Sequence, residues 1–426
     1  MRLLSLVAGK LTLALLRATG RTGSALPGRV VETLSPKFLP HMLAQLPQGV
    51  LIVSGTNGKT TTTKLVAKLL ASQGLRVLTN PTGSNFVRGI ISAVVDKASW
   101  RGRLDYDIAV FEQDEAHAVH FAKMVTPRGV LVLNIMRDQM DRFGEIDTTL
   151  KLLEKLARAA SDFVVLNAND ERVSTILVDD AVKTVWYAHS EDLNAAFLSD
   201  DQLYHGAAAN YALGGEPSVV LTGYDEASVS LLVQGSPHRY QYQLMGGHNA
   251  QNLAAAIAVL FQLVPEPDTS ELAKAILTVE PAFGRGEIIQ LPEGGELTLQ
   301  LVKNPGGFTQ ALRMLELKEY ATIGIAINDD YPDGRDVSWL WDVDFSAIKQ
   351  PVLCGGARAA DMANRLKYDE VKTLASYNDL DAYQKAFHER AASEGGHAIL
   401  FCTYTAMLKL RSKYFGVASG LAEEGQ

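Results

Sequence analysis

Seven consecutive residues, Gly55-Thr56-Asn57-Gly58-Lys59-Thr60-Thr61, set glycines, a lysine and hydroxyls between an apolar run, Val50 to Ser54, and a stretch of helical periodicity, Thr60 to Ala71. Strand, glycine-containing loop, lysine, hydroxyl, helix is the order that phosphate binding needs. The loop N–H groups and the positive end of the helix face the anion. Gly55 and Gly58 permit the tight backbone path. Lys59 reaches β- and γ-phosphates, and the Thr60 hydroxyl can ligate magnesium. A bare Gly-Lys-Thr says little. The strand before it and the helix after it make this loop a nucleotide triphosphate site. A second metal ligand is expected from Glu112, which ends the run Asp107 to Phe111 at the edge of the sheet beside the loop. Asp114 and Glu115 are alternates, and the plain reading of any of these acids is a solvated loop charge. The charged loop Arg137 to Gly144 follows another buried run. Its Asp138 and Asp141 either order the loop or hold metal-bound water.

The elements that must position these groups alternate along the chain. Val50 to Ser54, Arg76 to Thr79, Asp107 to Phe111, Gly129 to Asn134 and Phe163 to Asn167 read as buried strands, and Leu65, Val66, Leu69 and Leu70 line one face of the first helix. Continuous apolar strands alternating with helices imply a parallel sheet covered on both faces. From Ser190 to Met245 the pattern shifts to turns and short β-like runs, read as a β-rich insertion or sheet extension. A helix is expected from Asn249 to Leu263. A second α/β pattern begins near Pro281 to Glu287 with strands Glu296 to Val302, Thr322 to Asn328, Pro351 to Cys354 and Ala398 to Thr403. The expected division is a helical segment 1–48, an ATP-binding domain 49–284, a smaller Rossmann-like α/β domain 285–418, and a frayed tail 419–426.

Composition narrows the class. With 426 residues, 47% hydrophobic and 21% charged, the chain is a folded protein of two or three domains. A net charge of -8 argues against a general nucleic-acid binder. Two cysteines, Cys354 and Cys402, make neither a disulfide framework nor a four-thiolate zinc site, so the chain reads as cytoplasmic and both thiols as core residues on strands. Residues 1 to 16 resemble a weak signal peptide, but Lys10 interrupts a run too short to span a bilayer. Leu4, Val7, Ala8, Leu11, Leu15 and Leu16 recur near helical spacing, which leaves a helix packed on the body or one lying on a membrane surface.

The phosphate loop, the Asn134/Asp138/Asp141 loop and Gly247-His248-Asn249-Ala250-Gln251-Asn252 together resemble the central domain of Mur ligases. Members of that family use ATP to convert a carboxylate to an acyl phosphate that an amine then attacks. By that likeness Asn252 contacts adenine and Arg285 contacts phosphate. Lys303-Asn304-Pro305-Gly306-Gly307-Phe308 and the run Asn328 to Phe345 resemble the MurT-type ligase subunits of lipid II isoglutaminyl synthases, over nearly the whole chain. The resemblance implies glutamine-dependent amidation of the D-glutamate α-carboxylate of the lipid II peptide stem to D-isoglutamine. A GatD-like glutaminase subunit supplies the ammonia, and the lipid-linked substrate lies at the inner face of the membrane. Departures are visible too. Many such chains carry a four-cysteine zinc ribbon in the central domain, and this region holds no cysteine, so no zinc is expected. Gln139 stands where ordinary Mur ligases have His, and Gln300 where they place a ribose-binding Asp. Lys151 and Lys155 lie near the position of a carbamylated lysine without matching it.

Asn328 to Phe345 follows the end of an expected parallel strand and holds six aspartates, Arg335 and two tryptophans. A partner or ligand surface explains that combination, because aromatic anchors and Arg are enriched at interfaces; the plain alternative is a packed loop with Trp in the core. The resemblance implies that an Asp from this loop completes the partner's Cys-His site, fixing the imidazole tautomer. Asp336 is the choice, with Asp333 and Asp342 as alternates. Competing readings are an amino-acid-adding Mur ligase or a folylpolyglutamate-synthase-like ligase, and a nucleotide-binding scaffold that performs no ligation.

Overall fold

The computed structural model describes residues 2–19, 25–80, 86–137, 146–197, 214–281, 284–291 and 295–415. Asp138, Gln139, Asp141 and the tail 419–426 lie outside them. Two sheets organise the described chain. The first has nine strands in the order β2-β3-β1-β4-β5-β6-β7-β8-β9, formed by β1 (Val50–Ser54), β2 (Val77–Thr79), β3 (Ile108–Glu112), β4 (Gly129–Val132), β5 (Phe163–Asn167), β6 (Lys183–His189), β7 (Pro217–Tyr224), β8 (Ser228–Val233) and β9 (Ser236–Gln241). Pairing is parallel from β2 through β7, and β8 and β9 return antiparallel. The 214–245 region is thus an extension of the same sheet rather than a separate module. The second sheet runs β10-β11-β15-β12-β13-β14, from β10 (Arg285–Gln290), β11 (Glu296–Leu301), β12 (Thr322–Ala326), β13 (Val352–Gly355), β14 (Thr373–Tyr377) and β15 (His397–Cys402). Only its β10–β11 pair is antiparallel.

The central strands β1, β3, β4 and β5 are buried on both sides because their residues alternate between two cores. Leu51 and Val53 of β1 face one core, with Leu65, Val66, Leu69 and Leu70. Val50 and Ile52 face the other. Among the described residues three helices precede β1: α1 (Arg2–Ala18), α2 (Ala25–Leu34) and α3 (Phe38–Leu43). They cover the second core together with α5 (Val87–Lys97), whose Ile90, Ile91, Val94 and Val95 are buried there. On the first core lie α4 (Lys59–Ser72) and, beyond α6 (Glu115–Ala122) and α7 (Ile146–Ala157), the helix α8 (Gly247–Leu263). Residues Leu253 to Leu260 of α8 are buried all round, since it packs on both the sheet and α4. A helix that is apolar on every side needs such double cover. Cys354 and Cys402 are free and buried on β13 and β15. Among the described residues no helix is long and apolar enough to cross a membrane.

Candidate active site

The order β3-β1-β4 puts β1 where the chain turns from one side of the sheet to the other, and open α/β sheets bind ligands at the carboxyl ends of strands at such points. The phosphate loop leaves β1 there. Gly55 has φ of 131° and Gly58 of 86°, both in the region that favours glycine. A side chain at Gly58 would also place its Cβ 2.5 Å from Asn252 Oδ1. Asn134, just past β4, holds the loop shape. Its Oδ1 accepts from Asn57 N at 2.8 Å, its Nδ2 donates to Asn57 O at 3.0 Å, and its carbonyl accepts from Thr56 N at 3.0 Å. Asp170, beyond β5, supports the same strand end. It accepts from Ile135 N at 2.8 Å and from Arg172 and Val173 N at 3.0 and 2.9 Å. Desolvation raises its carboxyl above the usual carboxylate range despite these bonds.

Lys59 opens α4, where the first-turn N–H groups have no intrahelical acceptor. Its Nζ donates to Gly55 O at 2.6 Å and lies 3.4 and 3.6 Å from Asp114 Oδ1 and Glu115 Oε1. Glu112 ends β3 and is buried. Asn80 fixes its backbone through a reciprocal pair, Glu112 N to Asn80 Oδ1 at 2.9 Å and Asn80 Nδ2 to Glu112 O at 3.0 Å. Thr56, Asn57, Gly58, Lys59, Thr61, Glu112, Asp114, Asn252 and Arg285 all line one cleft of about 230 Å³ between the two sheets. Of the residues expected at the phosphate site, Gly55, Thr60 and the alternate Glu115 are not in that lining. Thr60 and Thr61 are both buried, and of the two Thr61 is the one in the cleft lining.

The second sheet closes the cleft from above. Asn304 caps α10 (Pro305–Leu312), which follows α9 (Thr269–Leu277), by accepting from Gly307 N at 2.7 Å. The same side chain pairs with the phosphate loop: Asn304 Nδ2 donates to Asn57 Oδ1 at 3.0 Å and Asn57 Nδ2 approaches Asn304 Oδ1 at 3.4 Å. Lys303 Nζ lies 3.4 Å from Thr56 O. Gly306 makes this approach possible, because a Cβ there would overlap the Met136 side chain. Farther along, Gln310 Nε2 and Arg313 Nη2 donate to Ala196 O at 3.2 Å and Ala195 O at 2.6 Å.

The far end of the cleft was not foreseen from sequence. His189, at the end of β6, stacks on Phe197 with ring centroids 4.6 Å apart. Gln251 Nε2 lies 3.3 Å from its Nδ1, so its Nε2 carries the proton and donates to Asn194 Oδ1 at 3.1 Å. Burial, partly offset by Asn194, lowers His189 to about 4. Burial and the Arg285 charge lower His248 to about 4 as well. Both rings are neutral at pH 7. Asn167 and Asn169 also line this end. The signal that would have found them is the polar run Asn167-Ala168-Asn169-Asp170 directly after a buried strand.

The 328–345 run splits in two. Trp339 is buried beside Phe308 at 6.3 Å, whereas Trp341 is half exposed and meets exposed Tyr368 edge-on at 5.0 Å. Arg365 clamps the loop from beneath, donating to Leu340 O at 3.1 Å and Val343 O at 2.6 Å. Asp333 is buried, accepts from Thr405 N at 2.8 Å and is bonded to the Thr405 hydroxyl. Desolvation raises its carboxyl. Asp336 and Asp342 are exposed. Asp336 accepts from Ser338 N at 2.8 Å, and bonds to Ser338 lower its carboxyl.

Residues 53–260 match the Mur ligase middle domain, and residues 301–407 match the MurT ligase C-terminal domain. MurF from Acinetobacter baumannii superposes with a TM-score of 0.69 at 17% identity, covering 93% of this chain and 82% of that one. MurF from Thermotoga maritima, solved in complex with ADP, gives 0.66 at 15%, covering 91% and 84%. Identities that low speak to fold, and the fold is that of the Mur ligases. The MurT subunit of lipid II isoglutaminyl synthase (glutamine-hydrolyzing) from Streptococcus pneumoniae is 30% identical over an alignment 446 positions long, gaps included, that covers 96% of this chain and 96% of that one. That from Staphylococcus aureus is 29% identical over 383, covering 84% and 85%. The chain belongs to the MurT family, as the Lys303-Asn304-Pro305 and 328–345 motifs led us to expect.

Proposed function

We propose that this chain is the ligase subunit of a lipid II isoglutaminyl synthase, binding ATP in the cleft between its sheets and amidating the D-glutamate α-carboxylate of the peptide stem. The working division is a helical segment 1–48, an ATP-binding domain 49–284 and a closing domain 285–418. The observation that carries the reading is the convergence on one cleft of Lys59, the loop Thr56 to Gly58, Glu112, Asn252 and Arg285 with Lys303 and Asn304 of the second sheet.

The acids beside Lys59 are hard oxygen donors that fit magnesium, with Glu112 and a hydroxyl of Thr60 or Thr61 as ligands and Asp114 close by. When bound, the metal neutralises phosphate charge. Lys59 then exchanges its carbonyl partner for phosphate oxygens and stabilises the charge that builds as the γ-phosphoryl moves. A carboxylate oxygen attacks γ-phosphorus and ADP leaves. Ammonia attacks the acyl carbon, the carbon–oxygen bond to phosphate breaks, and the departing phosphate carries away the proton lost from nitrogen. Arg285 is offered to phosphate and Asn252 to the base. The Asn57–Asn304 pair holds the closed form that keeps water from the acyl phosphate.

Ammonia is taken from a glutaminase subunit docked on the 328–345 surface. Exposed Tyr331, Trp341 and Tyr368 serve as aromatic anchors. Asp336, exposed and held ionised by Ser338, is offered to a partner imidazole, a task for which buried Asp333 is poorly placed. Lys59→Ala tests the scheme. ATP-dependent amidation should fall by about 10²- to 10³-fold, the loss typical of one charge-stabilising donor; full activity in that variant overturns it.

A further inference from the structure

Helix α1 turns an apolar face to solvent. Leu4, Leu11 and Leu15 are 72%, 59% and 65% exposed. Spacings of seven and four residues put them on one stripe. Exposed Leu3, Ala14 and Ala18 flank it. The opposite side already does the packing, with Leu6 buried and Gly9 close against Val31 and Val95. Packing on the body therefore does not use up the apolar surface of this helix. The loop after α5 extends the patch. Trp100 is 62% exposed with its ring 5.4 Å from Lys10 Nζ, and a Cβ on Gly102 would lie 3.3 Å from Leu3.

The charges around the stripe are mostly basic. Helix α1 holds Lys10 and Arg17 and, over its described side chains, no acid. Lys97, Arg101 and Arg103 are exposed around Trp100. Asp96 is engaged by Arg17 at 3.0 Å and Asp105 by Arg76. In a chain of net charge -8 this is a local reversal of sign. A leucine stripe and a tryptophan bordered by basic residues are the features of a helix lying in a membrane interface.

We infer that α1 and the Trp100 loop form a docking face for an anionic phospholipid bilayer, with the leucines and the indole at the headgroup boundary and the basic residues against lipid phosphates. The inference deepens the proposed function, since a lipid-linked substrate would be met at that surface.

Flotation of the full chain with vesicles of neutral phosphatidylcholine, with and without phosphatidylglycerol, tests it. The expected result is binding to the anionic vesicles, weakened several-fold by 0.5 M salt, and reduced at least tenfold in Leu4→Ser/Leu11→Ser/Leu15→Ser. Should that variant misfold, Trp100→Ser/Arg101→Gln/Arg103→Gln, confined to a loop, should lose binding by a similar factor. Absence of binding to anionic vesicles overturns the inference, as does binding unchanged in a folded variant. So does a wild-type dimer that the leucine substitutions render monomeric, which would mean a second copy covers the stripe. ATP-dependent amidation of a water-soluble stem peptide, measured alongside, reports separately on the proposed function, because neither variant touches the cleft.

Discussion

Removing the Asn304 side chain should reveal how the two halves of the active site are held together. Asn304 is 1% exposed and does two jobs. It caps a helix through Gly307 N, and it reaches Asn57 across the cleft at 3.0 and 3.4 Å. The cap contributes about 1 kcal/mol. The cross-cleft pair contributes about 1 kcal/mol, carried mostly by the shorter bond. Asn304→Ala should therefore cost ~2 kcal/mol and Asn57→Ala ~1 kcal/mol. The double variant should cost ~2 rather than ~3 kcal/mol, because the shared pair can be lost once only. Asn304→Ser keeps a capping oxygen but is too short to reach Asn57, so it should cost ~1 kcal/mol. Urea unfolding followed by tryptophan fluorescence gives these differences. In parallel, KM for ATP should rise about fivefold in each single variant, as expected for ~1 kcal/mol of lost closure. Strict additivity of the two alanine substitutions, or an unchanged KM for ATP in Asn57→Ala, would refute the account of the pair as an interdomain latch.

Other expectations concern the chemistry. Asp336→Asn should abolish glutamine-dependent amidation in the presence of the glutaminase while leaving amidation from ammonium nearly intact; equal loss of both would place Asp336 elsewhere in the mechanism. Trp341→Ala with Tyr368→Ala should weaken partner binding by ~30-fold or more, the loss of a small hot spot of ~2 kcal/mol, as read by calorimetric titration. Glu112→Gln should raise the magnesium concentration needed for half-maximal rate, and an unchanged magnesium curve would remove Glu112 from the metal site. Stability should fall as pH drops from 6.5 toward 5. His189 and His248 titrate near 4 in the fold and near 6.5 unfolded, so the unfolded chain binds the extra protons. Each contributes a slope of ~1.4 kcal/mol per pH unit in that window, and His189→Gln should flatten the profile measured by thermal melting.

Much of the phosphate site could be read locally. A buried strand, two glycines with positive φ and a Lys-Thr helix start are neighbours in sequence, so their types and spacing alone define the anion cradle. Strands β1, β3 and β5 were legible for the same reason, since they are buried at every position and read as unbroken apolar runs, whereas parallel β6 and β14, partly exposed, were not recognised. Edge strands were harder to see. β10 was not recognised as a strand, because its mixture of polar and apolar residues reflects a ladder on one side only and a bulge between Arg285 and Glu287.

What the sequence by itself determined, then, is the class of chemistry, because a loop that cradles phosphates is built from residues within a few positions of one another. Tertiary structure decided which distant groups meet that loop. Asn57 and Asn304 stand 247 positions apart, and only the packing of one sheet over the other brings their amides into contact. It also separated look-alikes: Asp333 from Asp336, Trp339 from Trp341, the packed side of α1 from its exposed leucines. These pairs are alike in composition and spacing. Burial tells them apart, and burial is set by the sum of contacts from elements far away in the chain.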